Sequence, residues 1–211
     1  MKPETTIFYD IDTQRDFLES GGSLYSPLAD LIRPRLAEIT ALAREYSIRI
    51  VASMDRHPRD EKSVPRSAAP IAAHCIDATA GQNKIPETAP LKPLRLGHNE
   101  MRPKDIEEAI EHDGEIIFDR PQFERLADSP HARAVIRLAL QPYDEIVIYG
   151  VYCSRCVDRA VLGLVGLGPK LTMVRDATLV IPGDDSIFNR LSGAGIELIT
   201  LEELKARAIS P

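Results

Sequence analysis

The stretch that decides the fold is residues 144–157, which read DEIVIYGVYCSRCV. Its apolar run, residues 146–149, ends at Gly150, and Cys156 follows six residues later at the start of an apolar pattern with helical period. This is the pattern of a buried parallel strand that leads directly into a helix. Because the unpaired N–H groups and the positive dipole end of a helix start favour a thiolate, we predict that Cys156 is a nucleophile.

Apolar runs and helical periods alternate along the rest of the chain. The predicted strands are residues 6–11, 47–54, 115–118, 146–149, 170–174 and 196–200. The predicted helices are residues 28–46, 103–111, 130–140, 155–167 and 201–208. Such alternation is typical of a parallel sheet covered by helices. We therefore predict one α/β domain over residues 1–211, a three-layer α/β/α sandwich with a central parallel sheet of about six strands.

The composition is that of a soluble globular protein. The chain has 211 residues, of which 44% are hydrophobic and 27% charged, with a formal net charge of -6 and a pI of about 5.4. An acidic chain disfavours nucleic acid, since phosphate binding needs a basic face. No apolar segment reaches the roughly 18 residues of a membrane helix, and the first residues form a strand pattern rather than a signal peptide. Three cysteines leave a remainder in any disulfide framework, so we predict reduced thiols and a cytoplasmic protein.

Polar residues follow the predicted strands directly. Asp12 follows the first strand, Asp55 and His57 the second, Arg120 the third and Cys156 the fourth. In parallel sheets, ligands bind at the carboxyl ends of the strands. We therefore predict that these side chains converge on one site.

Two carboxylates compete for the role of general base in this site. Asp10 and Asp12 lie two residues apart on a strand, so their side chains share a face and their charges interact. Asp12 lies nearer the carboxyl end, and we predict that it takes the proton of the Cys156 thiol. An aspartate at a strand end also commonly caps a turn or a helix, and this simpler role remains open for Asp12.

Four segments carry a resemblance to a known family. They are residues 12–17 (DTQRDF), 55–58 (DRHP), 74–81 (HCIDATAG) and 150–157 (GVYCSRCV). In order and spacing they are similar to the motifs of the isochorismatase-like cysteine hydrolases, and within them the chain resembles the nicotinamidase branch. Three departures stand out: Arg120 replaces the family's catalytic lysine, Ala78 replaces a usual glycine, and residues 151–153 are larger than is common.

The resemblance implies a function and a set of site residues. It implies hydrolysis of C–N bonds in small amides through a thioester on Cys156, with Asp12 as base and Arg120 as electrostatic partner. It also implies that Phe17 and Tyr152 contact the substrate. A cis peptide bond just before Tyr152 belongs to the same pattern, and it would aim a backbone N–H at the oxyanion.

A metal site is the second expectation. Asp55 and His57 leave the second strand on the same side if the backbone stays extended, and His74 returns from the proline-rich region 58–104. A loop of that length in a compact domain is usually functional. One carboxylate and two imidazoles suit zinc, iron or manganese and leave coordination positions open. We expect a divalent ion here, a small-molecule amide as substrate, no nucleic acid or membrane partner, and a homo-oligomer.

Two other functions are compatible with the sequence. The segment 153–156 is a C-x-x-C at a strand-to-helix junction, which can indicate dithiol redox chemistry. It does not explain Asp12, Asp55, His57 or His74. Because Arg120 is always charged and cannot shuttle a proton, a catalytically impaired binding protein of the same fold is the other possibility.

Overall fold

Seven parallel strands form one sheet in the computed structural model, which describes residues 1–59, 63–64, 71–96, 103–120, 143–181, 183–184 and 186–209. These strands are β1 (Thr6–Ile11), β2 (Arg49–Asp55), β5 (Leu94–Leu96), β6 (Ile116–Arg120), β7 (Glu145–Gly150), β8 (Lys170–Thr178) and β9 (Glu197–Ile199). Two short strands, β3 (Ser63–Val64) and β4 (Ile71–Ala72), pair antiparallel outside this sheet.

Six α-helices lie within the described residues. They are α1 (Arg15–Leu18), α2 (Ala29–Glu45), α3 (Pro103–Glu111), α4 (Asp158–Leu164), α5 (Ser186–Gly193) and α6 (Leu201–Ile209). In α2, the buried residues Ile32, Leu36, Ile39 and Ala43 recur at the three- and four-residue spacing of an amphipathic helix. None of the helices within these residues is long and apolar enough to cross a membrane.

The hydrophobic core has two halves, one on each face of the sheet. Successive strand residues point to opposite faces, so Phe8 of β1 packs with α2 and α6 while Ile7 packs with α3, α4 and α5. On β7, Val147 and Ile146 divide between the two halves in the same way. Helices therefore cover both faces, and the predicted three-layer α/β/α architecture with a parallel sheet is confirmed.

The differences from the predicted elements have local causes. The seventh strand, β5, is only three residues long and is too short to show a period. The helix predicted from residue 155 begins as a π-helical turn at Cys153–Val157, and α4 ends at Leu164, ahead of two glycines with positive φ. The sequence analysis did not predict α5, and the predicted helix 130–140 lies outside the described residues.

The strand order places a topological switch beside β1. Across the sheet the order is β5-β6-β2-β1-β7-β8-β9, so the chain builds outward from β1 to one side and then returns to its other side with β7. At such a switch the two connections leave in opposite directions and open a crevice at the carboxyl ends of the strands. The crevice between β1 and β7 is therefore the place to look for a site.

Candidate active site

The ends of β1 and β7 lie unusually close together. Ile11 pairs with Gly150 in the parallel register, and the Val151 N–H donates to the Ile11 carbonyl at 2.9 Å. Gly150 has φ +133°, and a Cβ built there would lie 2.0 Å from the Ile11 carbonyl oxygen. Only glycine fits this approach. It brings the segment that carries Cys156 against the segment that carries Asp12.

Asp12 is fully buried and is held by β2. Its backbone turns away from the strand with φ +51°, a left-handed conformation that is uncommon for a residue other than glycine. The Asp12 N–H donates to the Ser53 carbonyl at 3.1 Å, and the Ser53 hydroxyl donates to Asp12 Oδ1 at 2.7 Å. Ser53 thus fixes both the main chain and the carboxylate of Asp12.

Cys156 lies in the π-helical turn that follows β7, and its side chain is half-buried. The Arg155 and Val157 N–H groups both donate to the Tyr152 carbonyl, at 3.0 and 3.2 Å, which closes the turn. The Val151–Tyr152 peptide bond is cis, as the family resemblance implied. Because the Cys153 N–H donates to the Leu179 carbonyl at 2.7 Å, the amides of Tyr152 and Cys156 are the candidates to face an oxyanion.

The two other thiols are buried and unsuited to nucleophilic attack. Burial raises the pKa of Cys153 to about 12. Burial also raises the pKa of Cys75, and the neighbouring charges of Asp55, Asp12 and Cys156 add to that effect. The Cys75 thiol therefore lies within electrostatic reach of the predicted base, the predicted nucleophile and one predicted metal ligand, so these groups occupy one neighbourhood.

Phe17 and Tyr152 form an aromatic wall beside this neighbourhood. Their ring centroids are 5.8 Å apart in an edge-to-face arrangement, and the Phe17 centroid lies 5.5 Å from that of His74. The Tyr152 hydroxyl donates to the Leu24 carbonyl, and burial raises the pKa of Tyr152 to about 12. The structure thus places both predicted substrate-contacting residues together, next to a predicted metal ligand.

Asp55, His57 and His74 converge as the sequence predicted. One ligand atom from each lies within 4.8 Å of the others, and all three residues are buried. Each Nε2 atom, of His57 and of His74, is 3.3 Å from Asp55 Oδ2. This is a possible metal site of mixed nitrogen and oxygen donors.

The hydrogen bonds of His74 are compatible with a cation at this cluster. Its Nδ1 is 2.7 Å from the Ala72 carbonyl oxygen. Because a carbonyl oxygen can only accept a hydrogen bond, Nδ1 carries the hydrogen and donates it. In the neutral ring Nε2 then carries a lone pair, and that lone pair faces the carboxylate of Asp55. Two acceptors at this distance need a proton or a metal ion between them, and a backbone carbonyl on the far nitrogen is the usual support of a metal-bound histidine.

Gln14 connects the metal cluster to the Asp12 turn. Its amide nitrogen donates to the Asp55 and Gln82 carbonyls at 2.8 and 2.7 Å, and its amide oxygen accepts the Asp55 N–H at 2.7 Å. Gln14 is fully buried, so all these bonds form away from water. The residue two positions after the predicted base therefore holds the backbone of a predicted metal ligand.

Asp16 holds the segment that carries His74. Its Oδ2 accepts the Cys75 N–H at 2.6 Å. A Cβ on Gly81 would lie 2.3 Å from the Asp16 carboxylate, so that position has no room for a side chain. Ala78, where the family usually has glycine, has φ +58° and so keeps the left-handed backbone that glycine would adopt easily.

Arg120 lies at the predicted edge of the sheet. It is the last residue of β6 and pairs in the parallel register with Asp55. Its side chain lies outside the described residues, so its role stays a prediction.

The sequence analysis missed several residues that support the site. The hydroxyl of Ser53 was a weak signal, a single polar residue inside the apolar run 47–54. Gln14 and Asp16 stood within the quoted DTQRDF motif, but no role was assigned to them. Lys84 gave no signal, because a lysine in a loop is ordinarily solvated. In the structure it is buried and lies 3.0 Å from Asp10, the carboxylate that competed with Asp12.

Fold and geometry together define an α/β protein whose buried carboxylate, half-buried thiol and Asp-His-His cluster meet at a topological switch. The chain belongs to the isochorismatase domain family, whose sequence model matches residues 7–203. It is a family of hydrolases.

Solved structures of similar fold carry the same architecture. One is a pyrazinamidase of Pyrococcus horikoshii in complex with zinc, with 23% identity, coverage of 93% of this chain and 99% of that one, and a TM-score of 0.68. A pyrazinamidase/nicotinamidase from Streptococcus mutans has 19% identity, coverage of 92% and 99%, and a TM-score of 0.69. An N-carbamoylsarcosine amidase from Thermoplasma acidophilum has 14% identity, coverage of 94% and 97%, and a TM-score of 0.68. No curated protein sequence matches the chain.

Proposed function

We propose that this protein is a cysteine-dependent hydrolase of C–N bonds in small amides, of nicotinamidase type, that works through a thioester acyl-enzyme. The observation that carries the proposal is the pairing of Ile11 with Gly150, which sets the Asp12 and Cys156 segments against each other at the switch point. A buried carboxylate beside a half-buried thiol at a helix start is the arrangement that activates a sulfur nucleophile. The pyrazinamidases and the amidase of similar fold support an amide substrate.

Asp12 moves the protons in the proposed cycle. It takes the thiol proton as Cys156 Sγ attacks the amide carbonyl, and it returns that proton to the nitrogen as the C–N bond breaks. Ammonia or an amine leaves, and the acyl group stays on sulfur as a thioester. Water then attacks the thioester, Asp12 takes the water proton, and the acid is released as the thiol re-forms.

Backbone donors stabilise the charge that develops on the carbonyl oxygen. The amides of Tyr152 and Cys156 take this role, since the Cys153 amide is bonded to Leu179. Donors fixed before the reaction need no reorganisation during it, which makes such sites effective in catalysis. Arg120 replaces the family lysine as a fixed positive charge beside the thiolate, and it does not transfer protons.

Asp55, His57 and His74 would hold one divalent ion, with zinc, iron and manganese all compatible with the donor set. When bound, such an ion would supply a Lewis acid able to bind a ring nitrogen or carboxylate of the substrate. Phe17 and Tyr152 form the apolar wall against which a flat substrate packs. Nicotinamide is the first candidate because it combines a flat ring, a ring nitrogen and a primary amide.

The burial of Cys153 disfavours the redox alternative. Dithiol exchange needs an accessible thiolate, and burial raises the pKa of this thiol to about 12. A C-x-x-C spacing alone does not overcome that environment.

Ammonia release from a panel of small amides is the direct test. The panel contains nicotinamide, pyrazinamide, simple aliphatic amides and an N-carbamoyl amino acid, and mass spectrometry of quenched reactions looks for an acyl adduct. We expect turnover of at least one amide and an adduct on Cys156. If no amide is turned over and a Cys153–Cys156 disulfide forms under mild oxidation, the protein is a redox protein. If there is no turnover and no disulfide, it is a binding protein.

A further inference from the structure

A lysine lies inside the protein, where lysines are rare. Lys84 is 5% exposed, and its Nζ is 3.0 Å from Oδ2 of Asp10, which is 2% exposed. Replacing a buried ion pair by apolar residues of similar volume is often neutral or stabilising. Stability alone therefore does not explain the pair, and the proposed catalytic cycle does not use it.

Lys84 binds residues on both sides of Asp12 in the chain. The Thr13 hydroxyl donates to the Asp10 carboxylate at 2.8 Å and accepts from Lys84 Nζ at 3.1 Å. Lys84 Nζ also lies 3.3 Å from the Asp10 carbonyl, and the Thr88 hydroxyl lies 2.7 Å from that of Thr13. The residue two positions before Asp12 and the residue directly after it are therefore fastened to each other.

Backbone bonds dock the Lys84 segment onto the same turn. The Arg15 N–H donates to the Asn83 carbonyl at 2.9 Å, and the Ile85 N–H donates to the Thr13 carbonyl at 3.0 Å. The Asp12 backbone directly precedes these attachments and follows Asp10, which Lys84 also holds, and it has a left-handed conformation, φ +51°. A conformation of this kind persists only where the surroundings hold it, and Lys84 is part of what holds it.

The pair also sets the charge next to Asp12. Burial raises the pKa of Asp10 and the charge of Asp12 adds to this effect, whereas Lys84 lowers it. The Asp10 charge also acts on Tyr149 and Glu115. Glu115 is already paired with Arg44 at 2.9 Å, so Lys84 is the direct counter-charge of Asp10.

We propose that the Asp10–Lys84 ion pair is a positioning device for the general base: it locks the turn that carries Asp12, and it keeps the charge beside Asp12 balanced. This inference rests on the proposed function, because it takes Asp12 as the partner of Cys156. Lys84 and Asp10 are positioning residues that act through Asp12 and do not touch substrate.

The test uses the reactivity of Cys156 and needs no substrate. In the full-length protein, the rate of Cys156 alkylation by iodoacetamide is measured against pH by peptide mass spectrometry. Lys84→Met removes the counter-charge of Asp10, so part of the Asp10 carboxyl takes up a proton, and the negative charge that remains disfavours the thiolate. The profile should therefore move to higher pH, and the rate near pH 6 should fall. Asp10→Asn leaves the positive Lys84 uncompensated, so its profile should move to lower pH. The double variant Asp10→Asn/Lys84→Met should return close to wild type.

Opposite shifts in the two single variants are the signature that a purely structural pair cannot give. If the profiles coincide with wild type and only the melting temperatures fall, the pair is structural and the proposal is wrong. Should a single variant not fold, Thr13→Val removes the bridging hydroxyl without leaving a buried charge unpaired. A wild-type alkylation rate in Thr13→Val would also refute the claim that these contacts fix the turn that carries Asp12. Shifted profiles in a protein that hydrolyses no amide would uphold the positioning role and refute only the amidase function.

Discussion

Two polar clusters on the same sheet are built in opposite ways. The first, which we call the site edge, lies at the carboxyl ends of β1 and β2 and consists of Asp10, Asp12, Ser53, Asp55 and Lys84. The second, which we call the β9 edge, lies at the other end of the sheet and consists of Glu145, Lys170, Thr172, Glu197 and Arg207. The residues of the site edge are at most 8% exposed, whereas the side chain of Lys170 at the β9 edge is 53% exposed.

This difference shows what each cluster is for. At the site edge, partners from distant parts of the chain hold the carboxylates, as Ser53 holds Asp12 and Lys84 pairs with Asp10. Buried polar groups stabilise only when every partner is present, so such a cluster is kept where geometry matters. Apart from the buried Thr172, the β9 edge is a set of ion pairs whose side chains are 19–53% exposed, and pairs of that kind contribute modestly and tolerate change. We therefore expect substitutions at the site edge to change activity, and substitutions at the β9 edge to change only stability.

The largest effect is expected at the nucleophile beside the site edge. Cys156→Ala should reduce kcat for amide hydrolysis at least about 10³-fold, because the acyl group has no other acceptor. Cys153→Ala is the matched control, three residues away on the same turn, and should keep kcat near wild type. Stopped ammonia-release assays give both values. Equal losses in the two variants would point to dithiol chemistry instead.

Arg120 should give the next largest effect. Arg120→Lys should preserve turnover or improve it, since relatives in the family place lysine there, while Arg120→Met should lower kcat about 10²-fold through the loss of a fixed charge. The pH dependence of Cys156 alkylation should move upward in Arg120→Met for the same reason. Unchanged kinetics in the methionine variant would show that this cation has no catalytic part.

Substitutions in the metal cluster should change the binding of metal and substrate more than the rate of the chemical step. His74→Ala should abolish stoichiometric metal and raise KM at least about tenfold, with a smaller change in kcat. Binding should also weaken at acidic pH, because the imidazole ligands must be neutral. Elemental analysis of protein purified without chelator measures occupancy, and His112→Ala, at a half-buried histidine outside the cluster, is the control. Less than about a tenth of an equivalent in wild type, with no rescue by zinc, iron or manganese, would refute the metal site.

The hydrophobic period of the strands and helices, and the position of polar residues at the strand ends, sufficed to predict the layers of the fold and the convergence of the site residues. The apolar runs of β1 and β7 are fully buried, and burial on both faces gives a continuous apolar pattern that the sequence displays. The metal triad followed from residues at a strand end and in one loop. The positions of Ser53 and Lys84 did not follow, because each contacts a residue 41 or 74 positions away. The Ser53 contact depends on the register between β1 and β2, and the Lys84 contact depends on the path of residues 73–93, and no local pattern encodes either.

Substitution of Ser53 tests whether the hydrogen bond that positions Asp12 contributes to activity. Ser53→Ala should lower kcat/KM about tenfold, the scale of a lost hydrogen bond to a charged group. Ser53→Thr keeps the hydroxyl and should keep kcat/KM. A wild-type kcat/KM in Ser53→Ala would leave the hydroxyl without a role at the base.

The smallest effect is expected at the β9 edge, and it should appear only in stability. Hydrogen bonds from Arg207, followed by those from Lys170, lower the pKa of Glu197 from 4.5 to about 2. A carboxyl whose folded pKa is depressed contributes stability above its unfolded pKa and loses that contribution as the pH falls toward its folded pKa. Glu197→Gln should therefore have a lower melting temperature than wild type near neutral pH, and the difference should vanish as the pH falls from about 4.5 to about 2. Glu202→Gln removes an exposed ion pair with Lys205 on the neighbouring helix α6 and should change the melting temperature less than Glu197→Gln does, while kcat/KM should be unchanged in both variants. A loss of activity in Glu197→Gln would mean that the two clusters are coupled through the sheet, and the division between a site edge that positions and a β9 edge that stabilises would not hold.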